Sequence, residues 1–316
     1  MKYRQFGNTE QQVSILSLGG AALGAQYGPV DQLAAKEMLH EAIDLGINLI
    51  DTSPYYGLGK SEEFLGQHLT PELRKKVLLC TKAGRYDRDV FDFSTKSMRN
   101  SLEKSLKRLN TDYVDVLLAH YIEFAEDFDA VFNETYNGLL QLKREGKCRW
   151  IGMSCFPLGL LEEAISRCKL DVVISYCHYT LQNDLLTSSF LPKANQSGVG
   201  VMNGSPLSMG LLTRKGPPAW HPANDEIQRV CRSTASWLAE QGIDIAQVGM
   251  QFALANPAIP TTLMGVADPM ELRSNTQALE RPLEHDLFVQ IAEKLRPAHN
   301  LTWPSGRWPV GNSSPT

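Results

Sequence analysis

A set of side chains that can move protons follows short apolar runs in this sequence. The stretch DTSPYYGLGKSE places Asp51 directly after the run INLI and two adjacent phenols, Tyr55 and Tyr56, a few residues further on. Lys82 follows the run VLLCT, and His120 follows VDVLLA. Carboxylate, phenol, ammonium and imidazole groups all serve in general acid–base catalysis. The pattern therefore predicts a proton-transfer site, provided that the fold brings these residues together.

Lys82 is the most informative of these residues, because the run before it is apolar enough to be buried. An unpaired ammonium is costly to bury, so Lys82 requires a carboxylate partner, and Asp51 is the natural candidate. Taken singly, each residue also has an ordinary explanation as a turn cap, a loop ring, a surface charge or a core histidine. Their coincidence at three successive strand ends favours one site instead.

The apolar runs belong to a regular alternation of strands and helices. Strands are predicted at 13–20, 47–51, 77–81, 113–119, 149–153, 171–175, 199–203 and 261–264, and helices at 31–45, 60–68, 94–109, 128–145, 157–168, 182–197, 225–241, 244–255 and 269–279. The strands are short, β-branched and apolar on both faces, as in a parallel sheet covered by helices on both sides.

Eight strand–helix units predict an α/β protein, a (β/α)8 TIM barrel in which the carboxyl ends of the strands meet at one mouth. The alternative is a doubly wound sheet, which usually carries G-x-G-x-x-G after its first strand; the GGAALG found there has the wrong spacing. We expect one domain over 1–316, with an N-terminal extension at 1–12 and a tail from about 296. The tryptophans of the tail predict that it folds back as far as about 305, while the last eight residues could be ordered or disordered.

The sequence resembles the aldo-keto reductase family over nearly its whole length. GINLIDTSPYYGLGKSEEFLG is similar to the family signature, LLCTKAG to its lysine strand and LNTDYVDVLLAH to its histidine strand. The resemblance implies a TIM barrel that transfers hydride to or from NAD(P). It also implies that Tyr56, immediately before the glycine, is the catalytic acid–base. Lys82 then hydrogen-bonds to Tyr56, Asp51 holds Lys82, and His120 orients the substrate oxygen.

The four residues of this implied tetrad suggest how the phenol is tuned. A free phenol with a pKa near 10 is a poor acid–base catalyst at neutral pH. An adjacent ammonium favours the phenolate, so we expect Lys82 to lower the pKa of Tyr56.

Loop and tail segments narrow the expected substrate. DVVISYCHYTLQN, SPLSMGLLTRKGPPAWHPA, NLTWPSG and HYIEF are similar to plant members of the family that oxidise C1 of a sugar. This resemblance implies oxidation of an aldose like L-galactose or L-fucose to the aldonolactone, with Tyr56 as the base. Tyr55, Tyr121 and Trp303 are then expected to contact the substrate.

The segments IGMS, SPLSMGLLT and GVADPMELRSN fall where the family binds its nicotinamide cofactor. The cofactor contacts that the resemblance implies are Gly20, Ala21, Ser154, Tyr176, Ser205, Leu207, Gly210, Gly265, Glu271 and Asn275. The sequence departs from the family where Cys155 replaces an asparagine and Gly204 replaces an aromatic that stacks on the nicotinamide. Tyr176, in place of a glutamine, is a candidate substitute contact.

Cofactor preference depends on the segment around Glu271, where NADP-dependent members often carry an arginine for the 2′-phosphate. A carboxylate repels that phosphate and can accept a hydrogen bond from a ribose hydroxyl, so NAD is preferred. Arg273 nearby argues the other way, and NADP remains possible.

Bulk properties exclude several other classes of protein. The net charge of −4 argues against nucleic acid or an anionic membrane as the main partner. No apolar stretch is long enough to cross a membrane and no secretory signal is evident, so a cytoplasmic location is expected. The six cysteines show neither a zinc-site nor a redox spacing, so no metal is expected and most should be buried thiols.

The expected partner is a small sugar or aldehyde, and the family resemblance implies a monomer or weak oligomer. Two alternatives stay open: an NADPH-dependent aldehyde or carbonyl reductase, and a non-catalytic nicotinamide-binding regulatory barrel. The intact tetrad weighs against the second.

Overall fold

The structure is a computed structural model that describes residues 1–281 and 283–309, and its centre is a closed barrel of eight parallel strands. The strands are β1 (Tyr3–Gln5), β2 (Gln12–Ser14), β3 (Leu16–Gly19), β4 (Leu49–Asp51), β5 (Leu78–Ala83), β6 (Arg85–Asp87), β7 (Val90–Phe91), β8 (Val114–His120), β9 (Cys148–Cys155), β10 (Val172–Tyr176), β11 (Gly200–Gly204) and β12 (Thr261–Met264). The barrel contains β3, β4, β5, β8, β9, β10, β11 and β12 in that order, and β12 pairs with β3 to close it. This confirms the predicted TIM barrel.

Helices cover the outside of the barrel. They are α1 (Gln32–Asp44), α2 (Lys60–His68), α3 (Pro71–Arg74), α4 (Thr95–Leu109), α5 (Phe128–Ala130), α6 (Tyr136–Arg144), α7 (Leu158–Arg167), α8 (Leu191–Gln196), α9 (Asp225–Glu240), α10 (Ile245–Ala255), α11 (Pro269–Gln277) and α12 (His285–Leu295), with π-helical turns at Val131–Thr135 and Leu186–Phe190. Their bounds follow local signals: Ser94 caps α4 by accepting a hydrogen bond from the backbone of Ser97, and Asp31 caps α1 in the same way.

Apolar side chains fill the barrel interior, so it is a packed core and not a pore. The interior cluster consists of Leu49, Leu78, Cys80, Val116, Leu118, Val172, Ile174, Met202 and Leu263, together with Phe6 and Val13 from the N-terminal segment. Phe6 is fully buried beside Gly200, at the amino end of β11. The N-terminal segment therefore closes the amino end of the barrel and leaves the carboxyl ends of the strands as the mouth.

Several elements differ from the prediction. The strand expected at 13–20 is divided: Val13 and Ser14 pair antiparallel with β1, and only Leu16–Gly19 enters the barrel. The helix expected at 182–197 begins only at Leu186. The elements that were not predicted are β1, α3, α12 and the hairpin of β6 and β7. β1, α3 and the hairpin strands are too short to show an apolar period, whereas α12 has one, in Leu287, Phe288, Ile291 and Leu295.

The tail folds back further than expected, since Trp308 packs edge-on against Phe128 with ring centroids 4.9 Å apart. The prediction for the last eight residues concerns 310–316 above all, which lie outside the described residues. All six cysteines are buried thiols, as expected. No helix within the described ranges combines the length and the hydropathy that a membrane crossing needs.

Candidate active site

Three neighbouring strands bring the predicted catalytic side chains to the mouth. Asp51 and His120 are the last residues of β4 and β8, and Lys82 lies near the end of β5, which pairs with both of these strands. Tyr56 follows in the loop after β4. Two glycines fix that loop: a Cβ on Gly57 would lie 2.3 Å from the carbonyl oxygen of Gly24, and Gly57 has a φ of +65°. A larger residue at Gly57 would therefore displace the Tyr56 loop.

Lys82 is the centre of the hydrogen-bond network. Its Nζ donates to both carboxylate oxygens of Asp51 at 2.6 Å, to the Thr52 carbonyl at 2.8 Å and to the Tyr56 hydroxyl at 3.1 Å. Lys82 and Asp51 are only 1% and 2% exposed, so both charges are removed from water. Such an ammonium is tolerated because a carboxylate pairs with it, and the predicted partnership of Lys82 and Asp51 is confirmed.

His120 is buried and hydrogen-bonded to Ser53. Its Nδ1 lies 3.1 Å from the Ser53 hydroxyl, and that oxygen already accepts a hydrogen bond from the backbone of Tyr55. If the Ser53 hydroxyl donates to Nδ1, the ring proton lies on Nε2. Burial lowers the pKa of His120 well below its usual range, and the charges of Lys82 and Arg85 lower it further. A neutral imidazole that can donate from Nε2 suits a residue that orients a substrate oxygen. The sequence analysis missed Ser53, which stands inside the quoted motif.

The expected lowering of the pKa of Tyr56 is wrong for this structure. Burial raises the pKa of Tyr56 well above its usual value and the charge of Asp51 raises it further, whereas Arg85 lowers it. Lys82 shares its charge with both oxygens of Asp51, so its effect on the phenol is largely offset and burial decides the direction. Tyr56 therefore holds its proton at neutral pH.

Half-exposed aromatic rings surround the buried imidazole at the mouth. The rings of Tyr55, Tyr56 and Tyr121 lie 6.3, 5.9 and 4.5 Å from the His120 ring, centroid to centroid. Tyr121 adopts a left-handed backbone with φ +60°, which is uncommon for a tyrosine and turns its side chain beside His120. Tyr176 extends the wall, 5.4 Å from Tyr121. The rings form an apolar wall with hydroxyls at its edge, which suits an amphipathic ligand such as a sugar.

Trp303 lies behind this wall. It is 8% exposed, stacks on Phe156 at 5.0 Å and meets His221 edge-on at 5.0 Å. Phe156 in turn packs against Tyr176 at 5.3 Å. The tail thus supports the aromatic wall from outside.

Glu123 is a buried carboxyl that the sequence analysis missed. One oxygen, Oε1, accepts hydrogen bonds from the Phe156 backbone, the Tyr176 hydroxyl and the Ser305 hydroxyl at 3.0 to 3.2 Å. Its backbone carbonyl accepts from the amide of Arg307 at 2.6 Å. Burial raises the pKa of Glu123 to about 7 from its usual 4.5, despite these hydrogen bonds. Glu123 therefore joins the tail to the wall, and its place in HYIEF, three residues after His120, was the available signal.

Arg85 is a second residue that was missed. The hairpin of β6 and β7 brings its guanidinium over the rings of Tyr55 and Tyr121, with Cζ 3.8 and 4.3 Å from their centroids. Its Nη2 donates to the Tyr55 hydroxyl at 3.1 Å. The signal in the sequence was a basic residue three positions after Lys82, in the loop that leaves the same strand.

The residues expected to bind the cofactor lie mainly around the opposite half of the mouth. Ser154, Tyr176 and Ser205 lie at or just beyond the ends of β9, β10 and β11, while Gly20 and Ala21 follow β3. Gly265, Glu271 and Asn275 follow β12, and Leu207 and Gly210 lie in the loop after β11. The Leu207 side chain packs inward, since a Cβ on Gly249 would lie 2.7 Å from its Cδ2.

This half of the mouth fits a nicotinamide cofactor. Apart from Gly265 itself and its two chain neighbours, no atom of residues 1–281 and 283–309 lies within 4 Å of an ideal Cβ on the exposed Gly265, so its backbone is open to a closely approaching ligand. Gly204 is the neighbour of Tyr176 on the next strand, and a Cβ on Gly204 would lie 3.1 Å from the Cβ of Tyr176. An aromatic side chain at position 204 would therefore crowd Tyr176, whose own partly buried ring lies in this region. Cys155 is fully buried in the core outside the barrel.

Comparison with known proteins identifies the family of this chain. The family described as the Aldo/keto reductase family matches residues 15–296. The chain is 39% identical to the L-galactose dehydrogenase of Arabidopsis thaliana, over 97% of this chain and 98% of that protein. It is 32% identical to the D-arabinose 1-dehydrogenase of Saccharomyces cerevisiae, over 83% and 81%.

A solved structure, the holo form of an aldo-keto reductase from Bacillus halodurans, is similar with a TM-score of 0.77 and 25% identity, covering 97% of this chain and 99% of that one. The chain belongs to the aldo/keto reductase family, whose members are oxidoreductases that bind nicotinamide cofactors.

Proposed function

We propose that this protein oxidises C1 of an aldose of the L-galactose type to the aldonolactone, with NAD as the preferred cofactor. The observation that carries the proposal is the 39% identity to an L-galactose dehydrogenase over nearly the full length of both chains. A second aldose 1-dehydrogenase among the relatives supports the same class of substrate.

Tyr56 and His120 act on the oxygen at C1 of the sugar. His120 donates from Nε2 to that oxygen and holds it, while the Tyr56 oxygen accepts its proton as the carbonyl of the lactone forms. The nicotinamide, when bound, takes up the hydride that leaves C1. Lys82 remains hydrogen-bonded to the Tyr56 oxygen at 3.1 Å and stabilises the negative charge on it before the proton arrives.

The rate of oxidation depends on the proton of Tyr56. Oxidation requires the phenolate as base, yet the pKa of Tyr56 is raised by burial. We therefore expect the oxidation rate to rise as the pH rises toward that pKa.

Contacts around Glu271 support the preference for NAD. Arg273 is the cation closest to Glu271 in sequence that could bind a 2′-phosphate, but its guanidinium donates two hydrogen bonds to Glu41 of α1 at 2.7 and 2.8 Å. Asp268 caps α11 by accepting from the backbone amides of Met270 and Glu271, so the start of the helix carries two carboxylates. Such a site repels a phosphate and leaves acceptors for ribose hydroxyls.

The sugar would contact the aromatic wall. Tyr55 and Tyr121 flank His120 and present half-exposed rings, which can pack on the apolar face of a pyranose. Trp303 acts through Phe156 and Tyr176, by holding the wall in position.

The protonated state of Tyr56 favours a second candidate function, reduction of an aldehyde or ketone. A phenol with a raised pKa is ready to donate its proton to a carbonyl oxygen that accepts hydride. Both functions use the same four residues and differ in direction and substrate.

The test is an initial-rate panel. Oxidation of L- and D-aldoses is followed by the absorbance of the reduced cofactor, with NAD⁺ and NADP⁺ compared. Fast turnover of L-galactose or L-fucose with NAD⁺ supports the proposal. Turnover only in the reduction of aldehydes by NADPH would reject it in favour of the second candidate, and cofactor binding without any turnover would favour a regulatory barrel.

A further inference from the structure

The guanidinium of Arg85 occupies an unusual position for a surface hairpin residue. It is half-buried and lies over two aromatic rings, those of Tyr55 and Tyr121, and farther from a third, that of Phe91, at 5.3 Å. Both tyrosine rings contact His120, so Arg85 is separated from the catalytic imidazole by a single layer of side chains.

The hydrogen bonds of Arg85 leave one end of the guanidinium unused. Nε donates to the Asp87 carbonyl at 3.4 Å, and Nη2 donates to the Tyr55 hydroxyl and to the Arg88 carbonyl at 3.1 and 3.2 Å. Within residues 1–281 and 283–309, Nη1 makes no hydrogen bond and Arg85 has no carboxylate partner. An arginine has five N–H donors in a planar fork, so the two on Nη1 remain available.

The charge of Arg85 reaches the reaction centre. It lowers the pKa of Tyr56, of His120 and of Tyr121, which places the cation close to all three groups. A structural arginine would be expected to pair with an acid, whereas this one is held by aromatic faces that leave its hydrogen-bonding edge open.

We propose that Arg85 determines substrate specificity by donating a hydrogen bond from Nη1 to a hydroxyl of the sugar remote from C1. The inference rests on the proposed function and names a contact for its substrate. With C1 over Tyr56 and His120, a pyranose that packs on the rings of Tyr55 and Tyr121 extends toward the guanidinium. The remote hydroxyls are those at C4 and C6.

The test uses Arg85→Met, which keeps the length of the side chain and its packing on the rings but removes all donors. Arg85→Lys keeps the charge without the fork. Arg88→Met, in the exposed turn of the same hairpin, is the matched control, since only the Arg88 backbone carbonyl contacts Arg85. Substrates are L-galactose, its 6-deoxy analogue L-fucose, and 4-deoxy-L-galactose.

Loss of a hydrogen bond to a charged group predicts a rise of about 10- to 100-fold in KM for L-galactose in Arg85→Met, with kcat changed by less than about threefold. For the deoxy substrate that lacks the bonded hydroxyl, the KM of Arg85→Met should differ little from that of the wild type. The KM of Arg85→Lys for L-galactose should lie between those of Arg85→Met and the wild type, and the KM of Arg88→Met should equal that of the wild type.

An equal loss on all three substrates, or a fall in kcat at unchanged KM, would overturn the inference and leave Arg85 as a support of the wall. Thermal melting of each variant shows whether a loss of activity comes from misfolding. If Arg85→Met misfolds, the KM values of Arg85→Lys on the three sugars test the inference instead. If the wild type oxidises no aldose, the proposed function fails on its own. The same variants are then compared on reduction of glyceraldehyde and propanal: a loss confined to glyceraldehyde supports hydroxyl recognition, and an equal loss overturns it.

Discussion

Replacing Tyr56 by phenylalanine removes one hydroxyl from a network that otherwise stays intact. Among the residues that the structure describes, the Tyr56 oxygen accepts one hydrogen bond, from Lys82 at 3.1 Å. In the variant, Lys82 keeps both oxygens of Asp51 and the Thr52 carbonyl, so the buried ammonium remains paired. We therefore expect the free energy of unfolding to fall by only about 1 kcal/mol, the usual net value of one hydrogen bond.

Catalysis should suffer far more than folding. General acid–base catalysis by a positioned side chain contributes about 10²- to 10⁴-fold, which corresponds to roughly 3 to 5 kcal/mol of activation free energy. We expect kcat of Tyr56→Phe to fall by that factor. The Kd of the cofactor should stay within about twofold, because Tyr56 lies in the half of the mouth opposite most of the expected cofactor contacts.

Tyr55→Phe is the matched control, since Tyr55 also loses a hydroxyl that accepts from a cation, Nη2 of Arg85 at 3.1 Å. Its kcat should stay within about tenfold of the wild type. The assay is the initial rate of cofactor reduction at saturating sugar, with cofactor titration and thermal melting on the same preparations. A Tyr56→Phe enzyme within tenfold of the wild type, or an equal loss in Tyr55→Phe, would refute the assignment of the acid–base residue.

Three further predictions concern the tail, the buried acid and the cofactor. Because the pKa of Glu123 is about 7 in the fold against its usual 4.5, its contribution to stability is complete below pH 4.5 and lost as the pH rises through 7. Glu123→Gln, which resembles the neutral acid, should be up to roughly 3 kcal/mol more stable than the wild type at pH 8 and similar to it near pH 4.5 in denaturant unfolding, and a pH-independent difference would contradict this. Ending the chain after Thr302 removes Trp303 from Phe156 and should raise KM for the sugar more than the Kd of the cofactor; an unchanged KM argues that the tail does not support the wall. Glu271→Arg should shift the ratio of cofactor Kd values toward NADP, and an unaltered ratio would remove Glu271 from the basis of cofactor choice.

Local sequence patterns were sufficient for most of the barrel. Apolar, β-branched runs separated by helical periods define the parallel strands, because strands covered on both faces are predominantly apolar. A lysine at the end of such a run demands an acid nearby, and that requirement led from Lys82 to Asp51, which the structure confirms at 2.6 Å. The hairpin at Arg85–Phe91 was missed because two short, polar strands have no such pattern.

The resemblance to the aldo-keto reductases identified the strand-end residues, but it said little about their surroundings. Ser53, Arg85 and Glu123 were missed because each acts through partners distant in the chain: Ser53 bonds to His120, and Glu123 bonds to Ser305 of the tail. Their residue types are common in loops, so their positions close to His120, Lys82 and Asp51 in the sequence were the only signals, and weak ones.

The sequence by itself determined the order of the strands, the residues Asp51, Lys82 and His120 at or near their ends with Tyr56 in the loop between, and the family resemblance, since these depend on local period and on motifs. Only the tertiary structure decided the direction in which the pKa of Tyr56 is shifted, the contact of His120 with Ser53 and the position of the Arg85 guanidinium. Each of these depends on burial and on distances between groups from different strands, and burial raises the pKa of Tyr56 although an ammonium lies beside it. The pKa of Tyr56 therefore cannot be predicted from its neighbours in the sequence.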